Sequence, residues 1–323
     1  MQSGTGNDPW ALDGNFDGRH APSSRSIGLA FNCTTKAQWA EKDFDGLLEC
    51  LQKVPAEDMS NEMGGLDGMI KYQLAPGVLP YVVWMPVIDG EGGVLPEPLV
   101  KLAPKRDNIP VILGCTKDEF AVIFYVIMDK LDFNISDLDL KKRMMFEVGF
   151  RLAVMWFSDW FFFHGTMTEA KRWTDINQNS QTFLYSFDYY SDALPYPSDL
   201  KSSFHAYDLS FLFNDLHLGS ELNFLRNWKK SKADEAMTEQ FGTLWTDFAK
   251  TGQPSSAWKP LGAASNPFDA NYFSIDTESE MKTGFTWNRN PKGLETVQAL
   301  SSQIPSGYEA SFQAIADVFT ALE

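Results

Sequence analysis

Two short segments that are apolar throughout constrain the fold most. Asn108–Thr116 (NIPVILGCT) and Thr182–Tyr189 (TFLYSFDY) lack the alternation of a half-exposed strand, and both are too short for a buried helix. Such runs form strands covered on both faces, which occurs when helices flank a largely parallel sheet. The remaining sequence supplies those helices. Ser136–Phe163 reads as one long helix, with Asp137 and Asp139 near the amino end, where a carboxylate is favoured. Asp234–Lys250 places Met237, Phe241, Leu244, Trp245 and Phe248 at three- and four-residue intervals and stops at Thr251-Gly252. Buried strands alternating with long helices predict an α/β fold.

Shorter elements complete the reading. Asp45–Val54 puts Leu47, Leu48, Leu51 and Val54 on one helical face, and Tyr308–Leu322 is amphipathic through Phe312, Ile315, Val318 and Phe319. Residues 1–35 read as irregular chain joined to a short helical start. Residues 76–98 read as loop with an extended piece around Tyr81–Ile88, and 253–270 as loop. With no repeat, low-complexity tract or dividing linker, residues 1–323 are expected to form one domain.

Composition narrows the function. The formal net charge of −16 would repel a phosphate backbone, so no nucleic-acid partner is expected. Twenty-five Phe and 10 Trp provide more apolar surface than a disordered acidic chain could use. No stretch reaches the ~18 consecutive apolar residues of a membrane span. The amino terminus, MQSGTGNDPW, has no basic and apolar regions of a secretion signal. Cys33 and Cys50 lie in polar surroundings, where either a bridge or two free thiols is possible, whereas Cys115 lies within an apolar run.

Chemistry has few places to reside. The histidines are His20, His164, His205 and His217. There is no HExxH, no CxxC and no Walker loop, so no metal or cofactor is expected. There is also no G-x-S-x-G elbow to present a nucleophilic serine. Two segments stand out. Gly114–Glu119 (GCTKDE) carries Glu119 past the carboxyl end of the first buried strand, where open α/β sheets place their sites. Phe204–Leu209 (FHAYDL) follows the second strand and carries His205.

Taken in order, these segments resemble the carboxyl-terminal part of a type B carboxylesterase, the family of cholinesterases and non-enzymatic neuroligins. Gln2-Ser3-Gly4-Thr5 with Pro9-Trp10 resembles the family's QSG…PW stretch, and Pro86–Gly90 its PVIDG loop. Ile112–Glu119 is similar to its acid-bearing strand end, Phe183–Phe187 to its YLYxF strand, and His205–Phe213 to its histidine segment. Phe248–Gly252, Pro254, Trp258 and Pro260 match FAKTGxP…W-P. The resemblance implies an α/β-hydrolase fold, incomplete in this chain, and a parent that hydrolyses small carboxylic esters through a Ser-Glu-His triad.

The resemblance assigns roles residue by residue. Glu119 aligns with the triad acid, His205 with the general base, and Ser3 with a serine that hydrogen-bonds near the acid. The nucleophile elbow and oxyanion glycines precede the QSG stretch in the family, so the expectation is a chain without its own nucleophile: a truncated product, or a short non-catalytic or adhesion-like relative. Phe120 and Ala206 stand where glycine is usual after the acid and the base. Pro80 and Val82 fall in the acyl pocket, and Val122 and Ile123 take the place of the aromatics that receive choline, which points to a general carboxylesterase. Cys33 and Cys50 align with a family disulfide. Asn32 and Asn134 begin glycosylation acceptors, in keeping with an extracellular, secretory-pathway parent. The carboxyl-terminal helices are expected as a possible homodimer contact.

Overall fold

Both apolar runs form neighbouring strands of a single sheet. The computed structural model describes residues 1–8, 10–11, 21–64, 68, 71–72, 86–176, 181–196, 200–213, 223–226, 228–262 and 270–285. The chain divides into two compact units, Met1–Asp8 with Ala103–Glu323, and Pro9–Leu102.

In the first unit the sheet order is β1 (Val111–Thr116), β2 (Thr182–Phe187), β3 (Asn271–Ile275) and β4 (Glu280–Thr283). β1, β2 and β3 run parallel, and β4 returns antiparallel to β3. Every residue of β1 and β2 is buried, as their apolar runs predict. The outer edge of β1 is paired as well. Gln2 bridges Gly114 in parallel, Gly114 N donates to Met1 O at 3.2 Å, and Ser3 N donates to Gly114 O at 2.9 Å. Gly114 is required where it stands, because a Cβ there would overlap both the ring and the carbonyl oxygen of Tyr185, its register partner.

The long helices cover the sheet. Lys232–Thr251 begins with a reciprocal cap, Ser231 N donating to Asp234 Oδ2 at 2.7 Å and Asp234 N to Ser231 Oγ at 3.2 Å. It ends at Gly252, whose φ of 72° is the left-handed value that glycine accepts. Its Met237, Phe241 and Leu244 are buried against sheet aromatics, with Trp245 edge-on to Tyr185 at 5.1 Å and Trp258 stacked on Phe273 at 5.0 Å.

The other long helix departs from expectation at both ends. It starts at Leu140, where Asp139 Oδ1 accepts from Lys142 N at 3.0 Å; Asp137 ends a separate 3₁₀ turn, Ile135–Asp137. It does not stop at Phe163. A π-helical turn, Asp159–Phe163, carries it directly into the helix His164–Ile176. The sequence offers no stop signal there. Gly165 lies inside the continuation, where a Cβ would overlap the Asp8 carboxyl.

The second unit holds the helices Ala21–Ala30, Lys36–Ala40, Leu47–Gln52, Ala56–Met63 and Leu99–Leu102. Ala21–Ala30 is longer than the short helical start read from composition. Cys33 and Cys50 form a disulfide, with Cα atoms 5.5 Å apart. Leu48 is exposed whereas Leu47, Leu51 and Val54 are partly buried, so the apolar face is narrower than its spacing suggests. Pro80, Val82 and the predicted helix Tyr308–Leu322 lie outside the described residues. No described helix is long and apolar enough to cross a membrane.

Two stability outcomes follow. Gly114→Ala should lower unfolding free energy by about 3 kcal/mol, read by chemical denaturation, because the colliding atoms include backbone. Cys33→Ser with Cys50→Ser should cost about 3 kcal/mol in the chain-entropy account of a loop this size, and limited proteolysis should then cut first within Pro9–Leu102.

Candidate active site

Because β1 and β2 are parallel, the chain leaves both at the same edge of the sheet, and backbone hydrogen bonds continue the pairing past the strand ends. Lys117 N donates to Phe187 O at 2.9 Å, Asp118 N to Ser203 O at 2.8 Å, and His205 N to Glu119 O at 3.1 Å. Side chains reinforce the link: Ser203 N donates to Asp118 Oδ2 at 3.1 Å and Ser203 Oγ to Phe187 O at 2.8 Å. Glu119 and His205 are thereby held opposite one another although 86 residues separate them in sequence.

Their side chains meet. Glu119 is fully buried, and its Oε1 accepts from Thr116 N at 2.7 Å. Its Oε2 lies 2.6 Å from His205 Nδ1. One face of the imidazole is covered by Phe162, with ring centroids 4.9 Å apart, while 39% of the His205 side chain stays exposed. Phe162 belongs to the π turn, a device that commonly marks functional sites. Burial alone would lower the imidazole's proton affinity. The charge of Glu119 and the hydrogen bond to it outweigh that effect, with Asp208 adding to them, so His205 is held above its ordinary range.

Departures from the family pattern have structural counterparts. Ala206 adopts φ 64°, the left-handed region, in a turn closed by Tyr207 N donating to Phe204 O at 3.0 Å. Glycine's frequency at that position in the family follows from this geometry. Phe120 is accommodated outward: its ring stacks on Phe157 at 4.7 Å and its N–H donates to Ser158 Oγ at 3.0 Å.

Ser3 is placed differently from expectation. It is buried beside β1 at φ 48°, yet its Oγ has no hydrogen-bond partner among the described residues, so no bond reaches toward Glu119. Its neighbour takes the polar role. Gln2 Nε2 donates to Asp208 Oδ2 at 2.9 Å, and Tyr185 Oη donates to the same oxygen at 3.2 Å. Burial pushes the Asp208 carboxyl up to about 6; the Gln2 bond opposes this and the charge of Glu119 assists it. Asp208, Gln2 and Phe162 are the site residues that sequence reading passed over. For Asp208 the available signal was its position three residues after His205 in FHAYDL.

The other candidates lie in plain positions. His164 is exposed at a helix start, and His20 and His217 lie outside the described residues. Cys115 is buried, its Sγ 3.3 Å from Thr166 Oγ1. Val122 and Ile123 are partly buried in the helix Ala121–Lys130 that follows Glu119. Asn134 is exposed, and its Oδ1 accepts from Ser136 Oγ at 2.8 Å; Asn32 is exposed while Thr34 is buried. Among the described residues, no group of three or more His, Cys, Asp or Glu is placed to hold a metal ion.

A largely parallel sheet flanked by helices, with polar residues gathered where adjacent strands end, is the α/β-hydrolase arrangement. A model of the Carboxylesterase family matches residues 1–154 and 147–290, and the chain belongs to that family.

Glu119→Gln should lower the proton affinity of His205, because the carboxylate is the group that overcomes the cost of burying the imidazolium. In the folded protein His205 is raised above its unfolded value of 6.5. Its contribution to stability is therefore fully present below pH 6.5 and lost as pH rises through the folded midpoint. NMR titration of the His205 ring should show the midpoint of Glu119→Gln below that of the wild type.

Proposed function

We propose that this chain supplies the acid and the base of a carboxylic ester hydrolase. The observation that carries the reading is the 2.6 Å contact between His205 Nδ1 and the fully buried Glu119. With Nδ1–H donated to the carboxylate, the tautomer is set and Nε2 is left as the basic nitrogen. Nε2 removes the proton from a serine hydroxyl as its oxygen attacks the ester carbonyl, and the Glu119 charge stabilises the imidazolium. The same proton then passes to the departing alkoxide, which leaves as alcohol. Water repeats the cycle on the acyl-serine, releasing the carboxylic acid.

The 323 residues contain no G-x-S-x-G elbow. In this reading the pair therefore works with a serine, and with oxyanion donors, that this sequence does not contain. Pro80 and Val82 would border the acyl group. Val122 and Ile123 offer no aromatic face to a quaternary ammonium, which favours uncharged esters over choline esters. The Cys33–Cys50 bridge supports folding in an oxidising, secretory compartment, and the exposed Asn134 sequon suits a glycan there better than the Asn32 sequon, whose Thr34 is buried.

The test is turnover of a p-nitrophenyl ester by the complete gene product, with His205→Ala as the comparison. Loss of about 1000-fold or more in kcat with KM little changed is the expected result. A wild-type protein with no turnover and no labelling by a serine-reactive phosphonate would overturn it, leaving a non-catalytic binding relative.

A further inference from the structure

Gly114 of β1 has a polar residue on each side. Gln2 bridges it on the outer edge of the strand, and Tyr185 is its register partner in β2. Side chains level with one another across a sheet point to the same face. With no side chain on Gly114 between them, the two meet at one acceptor. Gln2 Nε2 donates to Asp208 Oδ2 at 2.9 Å, and Tyr185 Oη donates to the same oxygen at 3.2 Å. Asp208 is buried, and its carboxyl takes a donor from each neighbour of β1.

A short hydrogen-bonded turn joins Asp208 to His205. Tyr207 N donates to Phe204 O at 3.0 Å, Leu209 N to Ala206 O at 3.2 Å and Leu212 N to Asp208 O at 3.1 Å. His205 N is itself held by Glu119 O at 3.1 Å. After His205 the backbone passes through Ala206 at φ 64°, and Asp208 then links the turn to the sheet. The two groups also act on each other's charge. Burial, Glu119 and Asp208, in that order, set the proton affinity of His205; His205 acts on Asp208 after burial, Gln2, Glu119 and Tyr185.

We propose that Asp208 is a positioning residue for His205: by accepting from Gln2 and Tyr185 across Gly114, it fixes the turn in which His205 Nδ1 meets Glu119. The extended ladder holds His205 from the amino-terminal side and Asp208 from the carboxyl-terminal side. A consequence for catalysis follows only through the function proposed above. The contact itself is read without turnover, so a protein that hydrolyses no ester still passes or fails the test.

Asp208→Ala removes the acceptor, whereas Asp208→Asn keeps an oxygen for both donors and removes the charge. In the full chain with ¹⁵N-labelled histidine, exchange of the His205 Nδ1–H proton with water measures how often the contact with Glu119 opens. Exchange should be about tenfold faster than wild type in Asp208→Ala and within about twofold of wild type in Asp208→Asn. Wild-type exchange in Asp208→Ala would overturn the proposal, as would equal acceleration in both variants. So would an acceleration no greater than that of the amides in the helix Lys232–Thr251, because that would report general loosening. If Asp208→Ala does not fold, Gln2→Leu combined with Tyr185→Phe decides, since it removes both donors and leaves Asp208. The same acceleration is expected there, and unaltered exchange would overturn the proposal.

Discussion

The site depends on one constraint, the continuation of parallel pairing beyond the ends of β1 and β2. Strand hydrogen bonds end at Thr116 and Phe187, but the bonds Lys117–Phe187, Asp118–Ser203 and His205–Glu119 extend the ladder through what would otherwise be two independent loops. Loops that are only tethered at their roots would present Glu119 and His205 in many relative positions. Three backbone bonds and the Ser203 side chain reduce these to one, in which the carboxylate meets the ring nitrogen. The core behind this edge is why it holds. Gly114 lets Tyr185 lie against β1, and the Tyr185 hydroxyl in turn reaches Asp208, so packing and polar positioning share one residue.

A chain of net charge −16 nevertheless buries several carboxylates around this edge, and each is managed differently. Glu119 has a backbone donor and an imidazole. Glu169 has Arg106 and Asn7. Among the described residues Asp208 has only neutral donors, Gln2 and Tyr185, and Asp8 has Thr5 on one oxygen while the other is unpartnered. Burial disfavours the charged form of an acid, and hydrogen bonds offset that cost only in part where the donors are few and neutral. The last two are the acids pushed toward neutrality, to about 6 and about 7.

Much of this was legible before the structure. β1 and β2 declared themselves because strands covered on both faces must be apolar at every position, and the helix Lys232–Thr251 because its stop at Gly252 and its buried apolar positions Met237, Phe241 and Leu244 are written in local sequence. Glu119 and His205 became visible through resemblance and their place after strands. What remained hidden depends on contacts distant in sequence. The helical run continues past Phe163 into a helix whose Gly165 leaves room for the Asp8 carboxyl, a contact that no local pattern encodes. Leu48 looks like a core residue by spacing and is exposed, since periodicity records a face and not what covers it. Ser3 Oγ makes no hydrogen bond among the described residues, and it is Gln2 beside it that reaches a buried carboxyl, Asp208, which composition cannot reveal.

The departures after the acid and the base show how the chain keeps family geometry with unusual residues. A side chain after Glu119 must go somewhere, and Phe120 is accepted because Phe157 and Phe161 stand ready to stack with it. Those two rings come from the end of the long helix and from the π turn, which also delivers Phe162 to the face of His205. The π turn thus contributes to two packing needs, Phe161 against Phe120 and Phe162 against the imidazole. Ala206 offers no comparable compensation: its left-handed backbone is imposed by the turn that presents His205, and alanine bears the strain that glycine would relieve. That the strained turn persists with the acid–base contact intact means the interactions on either side of it, His205 N to Glu119 O and Tyr207 N to Phe204 O, outweigh the local cost.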